Sequence, residues 1–418
     1  MRFFTLRVIL NLILTSFLIV LYAACNTALN ITGMDISSIY NGQNDNSLQL
    51  SQLYNLNDSM STLRVILPAG LILPDPRTKK YSKKGLLKYE IIGAGKRITL
   101  IDSATFAISD TSGSRSYISH TWTFKAPSGM DYFVKATYSV PGIAEDFPLL
   151  EYFSKMNRLS QSWYRFQNES GEFLGGNITA YAQPVRMVTE DTSSMKMLVK
   201  LYSRNFATPL PPFVEQGRPP FDYSPDSTFY LEIKNGKTAF FNPVQTGFYF
   251  FQPDTAFEKG PSLFRMGTGF PKVTQHSQMR DALQYITSAK EFQKLKSYKI
   301  PKVAVDSFWI ANTGREDLAT EFIRKYYSRF ESANKLYSSY TDGWKTDRGM
   351  IYIVVGKPTQ VFRSFEQEVW IYGDYDDPRA LKFYFNKVQN PFTSNDYVLI
   401  RNPYYKTSWY QNVQLWRR

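Results

Sequence analysis

From Gln49 to Val140 apolar and polar residues alternate with a period of two in short runs. Thr62 to Leu67 reads as a strand stopped by Pro68, and Leu86–Ile92, Thr99–Ile108, Ile118–Lys125 and Tyr132–Val140 follow it, separated by Gly, Ser, Asp and Pro clusters. Short strands at this spacing predict an antiparallel sandwich over residues 49–145. Pro148 to Leu159 places Leu149, Leu150, Phe153 and Met156 on one side and is expected to be a helical connector. A second β-rich region is expected over 160–270, with strands at Ile178–Val188, Met195–Ser203, Thr228–Ile233, Lys237–Phe241 and Gly247–Phe251. Tyr249-Phe250-Phe251 lies in an all-apolar run and reads as a buried strand. The prolines at 209, 211, 212, 219 and 220 mark a long, stiff connecting loop.

Helical periodicity takes over near Ser277. One amphipathic helix is expected to run to Tyr298, with Pro301 beyond its end and Phe308-Trp309 in the connection that follows. Glu316 and Asp317 open a second helix, as acids in a first turn favour, with an apolar stripe through Leu318, Phe322, Tyr326, Phe330, Ala333, Tyr337 and Tyr340. Met350 to Val355 is apolar without a polar phase and is expected to be a central strand. Glu368–Tyr372, Leu381–Val388 and Asp396–Arg401 alternate and complete a sheet. The predicted fold is therefore multi-domain: all-β, sandwich-like regions followed by an α+β domain over 271–418, with helices packed on an antiparallel sheet.

The first residues change the picture from architecture to address. Arg2 and Arg7 precede an apolar stretch from Val8 to Leu21, and Tyr22-Ala23-Ala24 stands before Cys25. The stretch is short for a membrane span and has the flanks of a signal peptide. It resembles a bacterial lipoprotein signal over 1–24, which implies that Cys25 is lipidated and anchors the chain to a membrane. Cys25 is the only cysteine in the chain, so no intrachain disulfide is possible. Residues 25–48 are polar and weakly patterned, and read as a tether.

The net charge of +13 raises the question of nucleic acid. Its basic residues are scattered, with one cluster at Lys79, Lys80, Lys83, Lys84 and Lys88, and no binding motif accompanies them. No nucleic-acid partner is expected; an anionic envelope surface fits the charge better.

Candidate chemistry converges on Gly343-Trp344-Lys345-Thr346-Asp347-Arg348-Gly349, followed after the apolar run by Gly356-Lys357-Pro358. Gly343 is expected to end the preceding helix in a left-handed cap, Trp344 to cover the helix end or the sheet edge, and Thr346 and Asp347 to hold a turn. Arg348 is expected to pair with Asp347 or Asp342, and Gly349 to permit a bend.

With Phe270-Pro271, Phe308-Trp309, Tyr326 to Arg329, Ala333-Asn334 and Trp370-Ile371-Tyr372, these residues resemble the GWxTD-domain family of bacterial envelope proteins, common in the Bacteroidota. The resemblance spans Phe270 to Phe385. It implies a secreted or lipid-anchored protein without an established activity. Surface-exported lipoproteins of that group resemble one another in an acidic cluster after the cysteine, which this chain lacks, so a periplasm-facing position at the outer membrane is implied.

An enzyme would need Asp342 and Asp347 as acid and base and Arg348 as oxyanion partner. The turn reading is preferred, since structural ion pairs imitate such sites. His120 and His276 are far apart in sequence, and no Gly-x-Ser-x-Gly elbow exists. Glu366, Glu368, Asp374, Asp376 and Asp377 read as a solvated loop, with an oxygen-rich calcium site as the alternative. No catalytic residue, metal, cofactor or small-molecule substrate is assigned. The expectation is a non-enzymatic interaction module with outer-membrane or periplasmic protein partners. The alternative is an envelope hydrolase or glycan-binding protein using the acidic and aromatic residues around the motif.

Overall fold

The computed structural model describes residues 33–41, 49–67, 73–74, 81–94, 98–110, 118–142, 146–253 and 259–417. The signal stretch, Cys25, Lys79 and Lys80 lie outside the described residues.

The chain enters through a short strand β1 (Met34–Asp35) and helix α1 (Ser37–Asn41), within the stretch read as a tether. A two-layer sandwich follows. One sheet holds β2 (Gln49–Asn55), β3 (Met60–Ile66) and, skipping three strands in sequence, β7 (Ser119–Lys125). The other holds β4 (Leu73–Pro74), β5 (Tyr81–Ala94), β6 (Ile98–Asp110), β8 (Asp131–Ser139) and β9 (Phe147–Ser154). Every pairing in the two sheets is antiparallel. Their core interleaves Leu63, Val65, Trp122 and Phe124 with Leu87, Ile91, Tyr132 and Val134, as the period-two pattern requires.

The stretch expected as a helical connector is, as far as Ser154, β9, a full strand of the sandwich. Phe147, Leu149 and Phe153 face this core while Leu150 points to another, so burial on both sides produced a pattern that mimics a helical stripe.

An eight-stranded sheet comes next, in the order β10 (Tyr164–Asn168), β12 (Val185–Thr189), β15 (Lys237–Thr238), β14 (Ser227–Lys234), β13 (Met195–Tyr202), β16 (Gly247–Gln252), β17 (Ser262–Arg265) and β11 (Ile178–Thr179). All neighbours are antiparallel except β11 and β17, which run parallel. The run expected as one strand from Ile178 to Val188 is thus two, separated around Pro184, which has no amide hydrogen for a ladder. Strand β16 is buried on both faces: Tyr249 and Phe251 enter one core, and Phe248 and Phe250 enter a second that also takes Tyr340 and Phe392 from the last part of the chain.

The final region is a helical layer on an antiparallel sheet. Its helices are α2 (His276–Ala282), α3 (Ala289–Ser297), α4 (Pro301–Thr313), α5 (Glu316–Tyr337), α6 (Asp347–Val354) and α7 (Tyr405–Gln414). Its strands are β18 (Gln360–Arg363), β19 (Gln367–Tyr372), β20 (Leu381–Lys387) and β21 (Tyr397–Leu399), and β1 from the start of the described chain pairs with β18. Trp309, Tyr326, Phe330, Tyr337, Trp370 and Phe385 form the centre of one continuous core.

Three expectations are corrected here. The single helix from Ser277 to Tyr298 is broken, because Ser288 starts α3 with a reciprocal capping box to Glu291. Phe308-Trp309 lies in helix α4, which begins with Pro301 at its first position and ends at Gly314, where φ is +67°. Met350 to Val354, expected as a strand, is the body of α6. Every residue of α6 is buried, so the run from Met350 to Val354 carries no polar phase from which to read a period.

Candidate functional site

The motif starts where α5 ends. Gly343, Trp344 and Lys345 form a single tight turn, and Thr346 then caps α6. The Thr346 hydroxyl accepts from the Gly349 amide at 3.0 Å and donates to the Gly343 carbonyl at 2.7 Å, so one side chain ties both glycines of the motif together.

Neither glycine does what the sequence led us to expect. Gly343 is not in the left-handed region; a β-carbon there would lie 1.9 Å from the Ala333 carbonyl oxygen. A β-carbon on Gly349 would lie 1.9 Å from the Gly343 carbonyl oxygen. Both are glycine because backbone presses on backbone, α5 against the turn and the turn against α6. Gly356 is the conformational one, with φ +106° just after α6. Pro358 is buried two residues later and leads into β18.

Trp344 is buried, stacks on Phe330 at 5.1 Å, and its carbonyl accepts from the Tyr285 hydroxyl at 2.8 Å. Its amide donates to Asn334 Oδ1, and Asn334 Nδ2 donates to the Pro271 carbonyl. The Ala333-Asn334 and Phe270-Pro271 pairs of the sequence pattern therefore meet at the motif.

Asp347 and Arg348 follow at the first two positions of α6 and point to different partners. The Asp347 carboxylate accepts from Arg401 Nη2 at 2.5 Å and from the Leu399 amide at 3.0 Å. Arg401 in turn donates to the carbonyls of Leu210 and Pro211 at 2.6 and 2.8 Å, so the proline-rich loop is fastened to the motif. Burial pushes the Asp347 carboxyl above its ordinary range, against the pull of Arg401 and the Leu399 amide.

Arg348 Nη1 donates to Glu368 Oε2 at 3.2 Å, and Nη2 donates to the Asn395 carbonyl and side-chain oxygens at 2.9 and 2.5 Å. Glu368 is 0 % exposed. It also accepts from Arg363 Nε at 2.6 Å, from Trp370 Nε1 at 2.6 Å and from the Tyr40 hydroxyl at 2.8 Å. Burial alone would raise this carboxyl; Arg363 and Arg348, helped by the Trp370 and Tyr40 hydrogen bonds, outweigh it and hold the group down at about 2.

The expected pairing of Arg348 with Asp347 or Asp342 is thus corrected. Asp342 faces Lys345 at 3.5 Å, and Asp347 and Arg348 each reach across to an element distant in sequence. Glu368 leaves the expected solvated acidic loop for the core, whereas Asp377 remains exposed enough to pair with Arg379. Asp342 and Asp347 hold different partners, Lys345 and Arg401.

Sequence reasoning missed Arg401, Arg363, Asn395 and Tyr40, whose roles come only from tertiary proximity. It also missed the helix start at Thr346-Asp347, although a capping threonine followed by an acid before an apolar run carries that signal. Among the described residues no group of three or more His, Cys, Asp or Glu side chains could hold a metal ion. No described helix is long and apolar enough to cross a membrane.

No curated protein matches the chain. The GWxTD domain family matches residues 247–418, a span that begins at β16 and so takes in the aromatic strand packed against Tyr340 and Phe392. The turn, the two tight glycines and the paired charges all lie within that span: this chain carries a GWxTD domain over residues 247–418.

Proposed function

We propose that this protein is a non-enzymatic lipoprotein of the outer membrane, anchored through Cys25 and facing the periplasm, that serves as an interaction module of an envelope assembly, secretion or transport complex. One observation carries the non-catalytic part of this reading. Asp347 and Arg348, the motif's two groups suited to acid–base or oxyanion chemistry, are 6 % and 1 % exposed and are held by Arg401 and Glu368. A group so engaged serves as a joint between elements, and structural ion pairs of this kind imitate reactive sites. The lipoprotein part rests on the residues before Cys25.

Affinity purification of the tagged protein from detergent-solubilised membranes tests the reading. Stoichiometric recovery of an outer-membrane or periplasmic protein is expected, and recovery of a lone monomer would contradict it. Cys25→Ala is expected to release the mature chain from the membrane fraction, and continued retention would contradict the anchor.

A further inference from the structure

Strand β1 and helix α1 form the outer edge of the C-terminal sheet although they are separated from it by the whole of the two β regions. Met34 and Asp35 pair antiparallel with Arg363 and Phe362. The Ile36 amide donates to the Val361 carbonyl at 2.8 Å, and the Val361 amide donates to Ser37 Oγ at 2.9 Å. Backbone pairing of this kind accepts any extended peptide; selectivity comes from the side chains that follow.

Those side chains are Ile36 and Tyr40, 3 % and 4 % exposed. Tyr40 stacks on Tyr337 with ring centroids 5.7 Å apart and lies at the same distance from Trp370. Its hydroxyl donates to Glu368 at 2.8 Å and accepts from Arg363 Nη2 at 2.9 Å. An aromatic slot with an acceptor and a donor at its floor is the complement of a phenol, and phenylalanine satisfies only the slot.

We propose that the flank of β18, with the slot behind it, is a receptor for a peptide strand carrying an Ile-Ser-x-x-Tyr spacing, and that residues 33–41 are a ligand seated there which a free peptide can replace. A two-residue strand and a five-residue helix hold no structure by themselves, so their order depends on the groove. With the segment withdrawn, β18 becomes the sheet edge and presents unpaired backbone groups, a template for another strand. Residues 42–48 join the segment to β2 and keep it at high effective concentration, so a competing strand gains access only when that link is cut.

The test uses the full chain with a specific protease site placed within residues 42–48, and a fluorescent synthetic peptide of residues 33–41. Before cleavage, no peptide binding is expected by anisotropy. After cleavage, saturable binding is expected, displaced by unlabelled peptide, with the Tyr40→Phe peptide weaker by about tenfold or more and the Ile36→Asp peptide inactive. Failure of the cleaved chain to bind, or equal binding by cut and uncut chain, overturns the proposal. Loss of the cooperative thermal transition on cleavage also overturns it, because residues 33–41 would then be inseparable from the core.

Discussion

Asp347 and Arg401 form an ion pair at 2.5 Å in which the two side chains are 6 % and 8 % exposed. The pair connects the first residue of α6 to the segment after β21, and through Arg401 to the carbonyls of the proline-rich loop. Beside it, Arg348 connects α6 to β19 through Glu368. Two consecutive charges of the motif thus fix one helix to separate neighbours.

The two glycines give the sharpest steric test. Gly343→Ala and Gly349→Ala each drive a β-carbon to 1.9 Å from a carbonyl oxygen held by surrounding backbone. Each is expected to cost at least about 3 kcal/mol, the upper end of overpacking effects. Chemical denaturation of the two variants checks this. A midpoint within experimental error of the wild type would show that neither glycine is required for packing.

Thr346 offers a milder, graded case. Thr346→Ala removes both the cap on the Gly349 amide and the bond to the Gly343 carbonyl and should cost about 1–2 kcal/mol, while Thr346→Ser should cost much less. The measurement is the difference between the two variants under equilibrium unfolding. Equal losses for Ala and Ser would assign the effect to the methyl group and not to the hydroxyl.

Acid should find Glu368. Its folded value is about 2, below the ordinary carboxylate value, so its contribution is present above roughly pH 4.5 and is lost as pH falls towards 2. By linkage the contribution is on the order of 3 kcal/mol. Glu151 has the opposite sign: burial raises it to about 7, so its contribution is full below roughly pH 4.5 and is lost as pH rises through 7. Glu368→Gln is expected to destabilise at neutral pH and to flatten the acid limb of stability against pH. Glu151→Gln is expected to change little at pH 4 and to stabilise at pH 8. Thermal melts across pH 3–9 separate the two, and parallel profiles for both variants would contradict the assignment.

The β regions were legible in the sequence where one face of a strand meets the core and the other meets water, as in β5 and β7. They were misread where both faces are buried. In β9 that produced a false helix and in α6 a false strand, for the same reason: an element enclosed on every side displays no polar phase. The family motif was legible as residues but not as contacts. Nothing local in Asp347-Arg348 announces that Arg401 and Glu368 are their partners, and the capping signals at Thr346 and Ser288 were present yet outweighed by the apolar pattern beside them.

The most direct measurement is a double-mutant cycle of Asp347→Ala and Arg401→Ala, read by equilibrium denaturation. A buried pair joining two elements predicts that each single variant loses about 3 kcal/mol or more and that the double variant loses markedly less than the sum. Asp347→Asn, which keeps a hydrogen-bond acceptor for Arg401 and the Leu399 amide, should lose less than Asp347→Ala. Additive losses across the cycle, or an Asp347→Asn chain of unchanged stability that has lost its biological activity, would contradict the structural joint and return Asp347 to the list of reactive groups.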